Sequence, residues 1–180
     1  NSTFENNKAD RAAVVGAQGG TVKITNSTFL NNNATSQAGV IATSIDPVDK
    51  TYGTIVVYDS TFKNNYAQTA GVIGAEAGTI TVYSSTFENN KAYNDAVVGA
   101  REATVKVYSS DFINNHAEYA IGAIGVTGKG SVEVDDSMFV NNSASFGVGA
   151  IGSDNGMIKV NNLHKSFGKL NVLNGVSLNI

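Results

Sequence analysis

No cysteine occurs in the 180-residue chain, so neither a disulfide framework nor a thiolate metal site can form. Charged residues make up only 15% and the net charge is −3, which excludes the basic stripe of a nucleic-acid surface. No apolar run approaches the length of about 18 residues that a membrane-spanning helix requires. H-E-x-x-H, G-x-S-x-G and Asp-rich calcium loops are all missing, and no cofactor motif stands complete. Proline appears once, at Pro47. The chain opens at Asn1 without an initiator Met or a signal peptide, as a piece of a longer protein would.

Apolar residues reach 42%, too many for a disordered polar tract. The 19 glycines, with abundant Asn, Ser and Thr, point to many tight turns rather than long helices. One hexapeptide recurs six times: STFENN at 2–7 and 85–90, STFLNN at 27–32, STFKNN at 60–65, SDFINN at 110–115 and SMFVNN at 137–142. Its Phe falls at Phe4, Phe29, Phe62, Phe87, Phe112 and Phe139, with spacings of 25, 33, 25, 25 and 27 residues. A small-residue run such as AGVIGA follows each motif; a glycine-rich corner usually comes next, then an alternating segment such as TITVY. Self-similarity at such a period marks a solenoid.

The alternating segments place Val22/Ile24, Ile55/Val57, Ile80/Val82, Val105/Val107 and Val132/Val134 two residues apart. Period two with β-branched residues reads as a strand buried on one face. A period of about 25 residues accommodates three short strands and three corners, one coil of a parallel β-helix. One coil buries too little apolar surface to offset the entropy of ordering it, so coils must stack.

Stacking puts like residues over like. The first Asn of each pair, at Asn6, Asn31, Asn64, Asn89, Asn114 and Asn141, forms one file. The second, at Asn7, Asn32, Asn65, Asn90, Asn115 and Asn142, forms another. Both are expected to bond as amide ladders, since an amide both donates and accepts. Asn also tolerates the left-handed backbone of a sharp corner. The six Phe rings should fill the interior as a stack. Ligand binding through the amides is the alternative use of these files.

The F-x-x-N unit (Phe62 to Asn65) and the G-A-I unit (Gly122 to Ile124, Gly149 to Ile151) resemble the repeats of polymorphic outer-membrane proteins. The STFxNN form is similar to repeats in adhesin-like surface proteins of methanogenic archaea. The resemblance covers roughly residues 1–160 and implies a right-handed parallel β-helix, a class that includes pectate lyase-like enzymes. It also implies an extracellular or cell-surface location and contact with other cells, glycans or matrix. Fold and activity separate readily on such scaffolds. Sequons at Asn1, Asn26, Asn33 and Asn141 would permit glycosylation there.

A lyase or glycosidase needs grouped carboxylates, usually with a base nearby. The fifteen acidic residues supply no such group: Asp59 and Asp136 share a column but Ser84 and Ser109 lie between them, and Asp135 with Asp136 reads as a solvated turn. His116 and His164 read as unconnected surface residues. The body therefore reads as non-catalytic. Two contact candidates remain. Tyr58, Tyr83 and Tyr108 occupy one outward column, either as an aromatic ladder or as a platform for sugar rings. The extra length near residues 43–53, with Asp46, Pro47, Asp49 and Tyr52, should leave the rod as a loop, where binding is often placed.

Residues 1–156 thus form one repeat domain of about six coils, and 157–180 an atypical tail. Where a seventh Phe is due the tail has Lys165, with no Asn pair after it. From Met157 the tail resembles the N-terminus of an ABC transporter ATPase of the polar amino acid uptake type. That resemblance implies that Phe167 stacks on adenine, but no phosphate loop follows to complete a nucleotide site. The tail reads as a fusion cut short, a joined reading frame or a chance likeness. Its alternation at Asn171–Leu173 and Val176–Ile180 suggests two strands able to cap the last coil.

Overall fold

A computed structural model describes residues 1–10, 14–35, 39–68, 71–167 and 170–179, with side chains from 163 onward outside that description. The chain forms an all-β parallel solenoid of about six turns with ~26 residues per coil, and no helix forms among the described residues. The register is residue on residue: Phe87 pairs with Phe62 on one side and Phe112 on the other. Likewise Ile80 lies between Ile55 and Val105.

Each coil presents three faces. The Phe face carries strands such as Thr61–Lys63, Thr86–Glu88 and Asp111–Ile113. The short face has two-residue strands, Tyr66–Ala67, Lys91–Ala92 and His116–Ala117 among them. The long face joins the small-residue run to the alternating segment. In two coils these fuse into single strands, Ile73–Tyr83 and Val98–Tyr108. Inside, Phe29, Phe62, Phe87 and Phe112 are fully buried, and all six rings stack with centroids 4.7–5.0 Å apart. That step equals the natural spacing of hydrogen-bonded strands, so ring stacking and ladder pairing are satisfied together.

The corners divide labour in a way the repeat only half discloses. The first Asn of each pair takes the left-handed conformation, with φ of 52–58° at Asn6, Asn31, Asn64, Asn89, Asn114 and Asn141. Most of these side chains are exposed. The rung-to-rung amide bonds run through the second Asn, with Nδ2 donating to the next Oδ1 at 2.8–3.1 Å from Asn7 through Asn142. The expectation of two amide ladders is thus corrected. At the first position the backbone turns the side chain outward; at the second it turns inward, where only a complementary partner stabilises an amide.

Each inward amide does more than join its neighbour. Asn90 Nδ2 also donates to the Phe62 carbonyl at 2.9 Å, and the Asn90 backbone N–H donates to Asn115 Oδ1 at 3.0 Å. The corner breaks the regular ladder, and the side-chain oxygen of the next coil satisfies the N–H left over.

A second corner repeats the device with serine. Asn26, Asp59, Ser84, Ser109 and Asp136 adopt φ of 46–49°, and the buried Ser27, Ser60, Ser85, Ser110 and Ser137 follow. The N–H of each of the first four serines donates to the next Oγ at 3.1 Å. Each Oγ donates to the carbonyl two residues earlier, as Ser60 does to Tyr58 at 2.7 Å. The column holding Asp59 and Asp136 is therefore a backbone requirement, met by residues that tolerate this conformation. Gly39 and Gly71 serve close approach instead: a Cβ on either would overlap a carbonyl of the next coil.

The tail joins the solenoid. Met157–Phe167 pairs in parallel with Ser131–Asp135 and antiparallel with Leu170–Asn179. One ten-residue strand thus stands where two were expected, because it follows the whole edge of its neighbour, with register shifts between Val160 and Ser166. It covers the sheet edge of the last coil, which would otherwise offer unpaired backbone groups.

Asn90→Ala removes bonds to both neighbouring coils and orphans the buried Asn65 N–H. It should destabilise the fold by about 2–4 kcal/mol, each lost bond contributing around 1. Asn89→Gly, one residue earlier, should change stability by under about 0.5 kcal/mol because glycine accepts the left-handed corner. Urea unfolding midpoints of the two variants test this division; equal losses would refute it.

Candidate functional site

The tyrosine column is a closed stack. Tyr58, Tyr83 and Tyr108 lie with ring centroids 4.8 and 5.1 Å apart and planes within 16°. The Lys23 ammonium sits 5.4 Å from the Tyr58 centroid, and Tyr108 Oη donates to Glu133 Oε2 at 3.4 Å. Each ring face inside the row is covered by its neighbour, so a sugar ring could reach little more than edges. Of the two uses foreseen for this column, the geometry favours the ladder.

The loop leaves the long face between Ile41–Ser44 and Thr54–Tyr58, where the next coil runs straight from Ile73 to Tyr83. Asp46 shapes it from within, its Oδ1 accepting the N–H groups of Val48 at 2.7 Å and Asp49 at 2.9 Å. Those two bonds hold its carboxyl below the usual range. Asp46 is thus engaged with its own turn, an Asx arrangement, whereas Pro47, Asp49 and Tyr52 are exposed. Val48, at 82% exposure, is the most solvent-facing large apolar side chain described.

Stacking also assembles groups that lie far apart in the sequence. Glu133 meets the Lys159 ammonium at 3.2 Å and that of Lys106 at 3.8 Å, from the coils on either side. Only the register could reveal this, since each partner is about one coil away. Glu133 is thus an ion-paired carboxylate held between two ammonium groups, with Asp135 two residues along the same outward face of the strand. His116 is likewise not isolated: its Nδ1 lies 2.9 Å from Ser143 Oγ and its Nε2 3.4 Å from Glu118 Oε2, on the open short face.

Among the described residues, only Asn33 Oδ1, Thr43 Oγ1 and Ser153 Oγ are buried side-chain atoms without a partner, and each belongs to a different strand. No group of three or more His, Asp or Glu among the described residues is placed to hold a metal ion. No described helix is long and apolar enough to cross a membrane. Arg11 and the side chains of His164 and Phe167 lie outside the described residues, so adenine stacking by Phe167 gains no geometry here.

No protein-family model, curated protein or solved structure matches the chain. The class, a parallel β-solenoid, rests on the coordinates, and neither the adhesin-repeat nor the ABC-ATPase resemblance gains support from a relative.

One acidic group stands out for stability. Burial raises the Asp95 carboxyl to about 6, against a weaker opposing bond from the Ala96 N–H at 2.9 Å. A raised carboxyl pKa means that ionisation disfavours the fold. The penalty is absent below about pH 4, grows between pH 4 and 6 and is complete above. Asp95→Asn, which keeps the accepting oxygen, should therefore stabilise the protein at pH 7. The gain is on the order of 1–2 kcal/mol, discounted for partial exposure, and should vanish near pH 4. Thermal unfolding at the two pH values checks it.

Proposed function

We propose that the chain is a non-enzymatic module of adhesin-like type, displayed at the cell surface, whose rod presents its outer faces to cells or glycans. One observation carries this reading: the inward polar groups at the repeating corners, the second Asn and the Ser of each motif, are consumed in holding coil to coil. The inward Asn and Ser files bond from coil to coil, and each Ser Oγ also donates within its own corner, as Ser85 does to Tyr83. Chemistry is left to the outside, where the Glu133 carboxylate is matched by two lysines. A regular rod with a repeating apolar core and a variable exterior suits display, because outer residues can change without disturbing the stack.

The rival reading is a carbohydrate-cleaving enzyme of the pectate lyase-like class. Incubation with polygalacturonate should yield no unsaturated product by ultraviolet absorbance, while beads coated with the chain should adhere to cells or glycan-coated surfaces. Steady product formation, or beads that adhere no better than albumin-coated ones, would overturn the proposal.

A further inference from the structure

The short face differs from the other two in what it exposes. Its inward positions are plain: Ala67, Ala92 and Ala117 are buried and stacked in register. Its rim carries large rings instead. Tyr93, Tyr119 and Phe146, on three successive coils, are 39%, 43% and 68% exposed. Tyr93 meets Tyr119 edge-on, with centroids 5.2 Å apart and planes at 74°, and Tyr119 meets Phe146 at 5.4 Å and 16°. Unlike the half-buried tyrosines of the long face, these three rings are exposed; Tyr119 and Phe146 cover one face of each other, while the edge-on contact leaves the Tyr93–Tyr119 step unstacked. The core does not need these rings, and aromatic side chains kept in water gain most of their energy from a partner.

The groups beside the rings identify that partner's chemistry. Lys91, His116 and Ser143 form one outward file in register. Glu118 Oε2 accepts from Ser145 Oγ at 3.2 Å and faces His116 Nε2 at 3.4 Å, while His116 Nδ1 lies 2.9 Å from Ser143 Oγ. Donors and acceptors are thus interleaved with apolar ring surface and held in place by one another. A pyranose has the same two-sided character, with C–H groups on its faces and hydroxyls at its edges. The ring-to-ring step of 5.2–5.4 Å is close to the length of one sugar, so a glycan running parallel to the rod meets about one ring per residue. Lys91 and Glu118 balance in charge, which suits a neutral glycan better than a polyuronide.

We propose that Tyr93, Tyr119 and Phe146, with His116, Glu118 and Ser145 beside them, form a binding strip for a neutral oligosaccharide lying along the rod. The proposal rests on reading the rod as a contact module and locates that contact on the short face rather than on the loop or the tyrosine ladder. Calorimetric titration of the whole chain with cellohexaose, chitohexaose and mannohexaose tests it. At least one should bind saturably, and Tyr119→Ala or Phe146→Ala should weaken it about tenfold, equivalent to ~1.4 kcal/mol. Tyr83→Ala should leave affinity unchanged. Both strip residues lie outside the core, so unchanged circular dichroism will confirm that the variants fold. Three results would overturn the strip: no binding of any hexasaccharide, binding lost with Tyr83→Ala but kept with Tyr119→Ala, or self-association abolished by Phe146→Ala without sugar binding. Adhesion of coated beads that survives loss of sugar binding would reject the strip alone, whereas polygalacturonate turnover would reject the contact-module reading itself.

Discussion

Where a parallel coil turns a corner, the backbone leaves the strand pattern and an N–H loses its carbonyl partner. In this protein the N–H of Asn90 donates to the amide oxygen of Asn115, and that of Ser85 to the hydroxyl of Ser110. Every other feature of the rod depends on this substitution of a side chain from the next coil for a backbone partner. A buried N–H without a partner would cost about 1–3 kcal/mol at every corner of every coil, enough to dissolve a structure of marginal net stability. The left-handed residue just before each ladder residue is the other half of the device, since it turns the ladder side chain inward.

Because the partner is supplied by a different coil, no coil can be complete alone. The six-fold Phe motif is thus a statement about cooperativity. The benzyl stack, the branched aliphatic files and the two polar files share one rise per coil, and a change in one would disturb the others. The same economy explains the exterior. Once the corner residues are committed, outward positions are free to vary, and they do: the long face carries a tyrosine ladder and a lysine–glutamate–lysine arrangement, while the short face carries open rings among polar groups. The tail meets the opposite problem, an edge with unpaired backbone groups. Its antiparallel strand answers by pairing rather than by side-chain chemistry.

Much of the architecture was legible in the residues. The alternation at Val105 and Val107, the recurrence of Phe and the near-constant spacing imply parallel coils in register, because a period of about 25 residues holds one coil of short strands and is too short for a propeller blade. The Asn pair was legible as a corner but not as two different roles: adjacent identical residues give no sign of which one points inward. The serine that opens every copy of the hexapeptide recurs as faithfully as the Phe, but serine is common at turns, and recurrence alone does not show that its hydroxyl accepts an N–H from the preceding coil. Among the contact candidates, the loop around Pro47 announced itself by extra length, whereas the short-face rings did not. Tyr119 and Phe146 share one offset from the motif Phe, but Tyr93 stands one residue earlier, and the three meet as a row only once the coils are stacked.

By itself the sequence determined the coil, its period, the buried files and the place of the loop, since these follow from local alternation and from repetition along the chain. Only the tertiary structure decided which amide bonds to which, that the tyrosines of the long face cover one another while those of the short face stay open, and that Glu133 and His116 have company. Those outcomes turn on residues about one coil apart being brought within a few ångströms, and on a single backbone angle at each corner that decides whether a side chain enters the core or faces water.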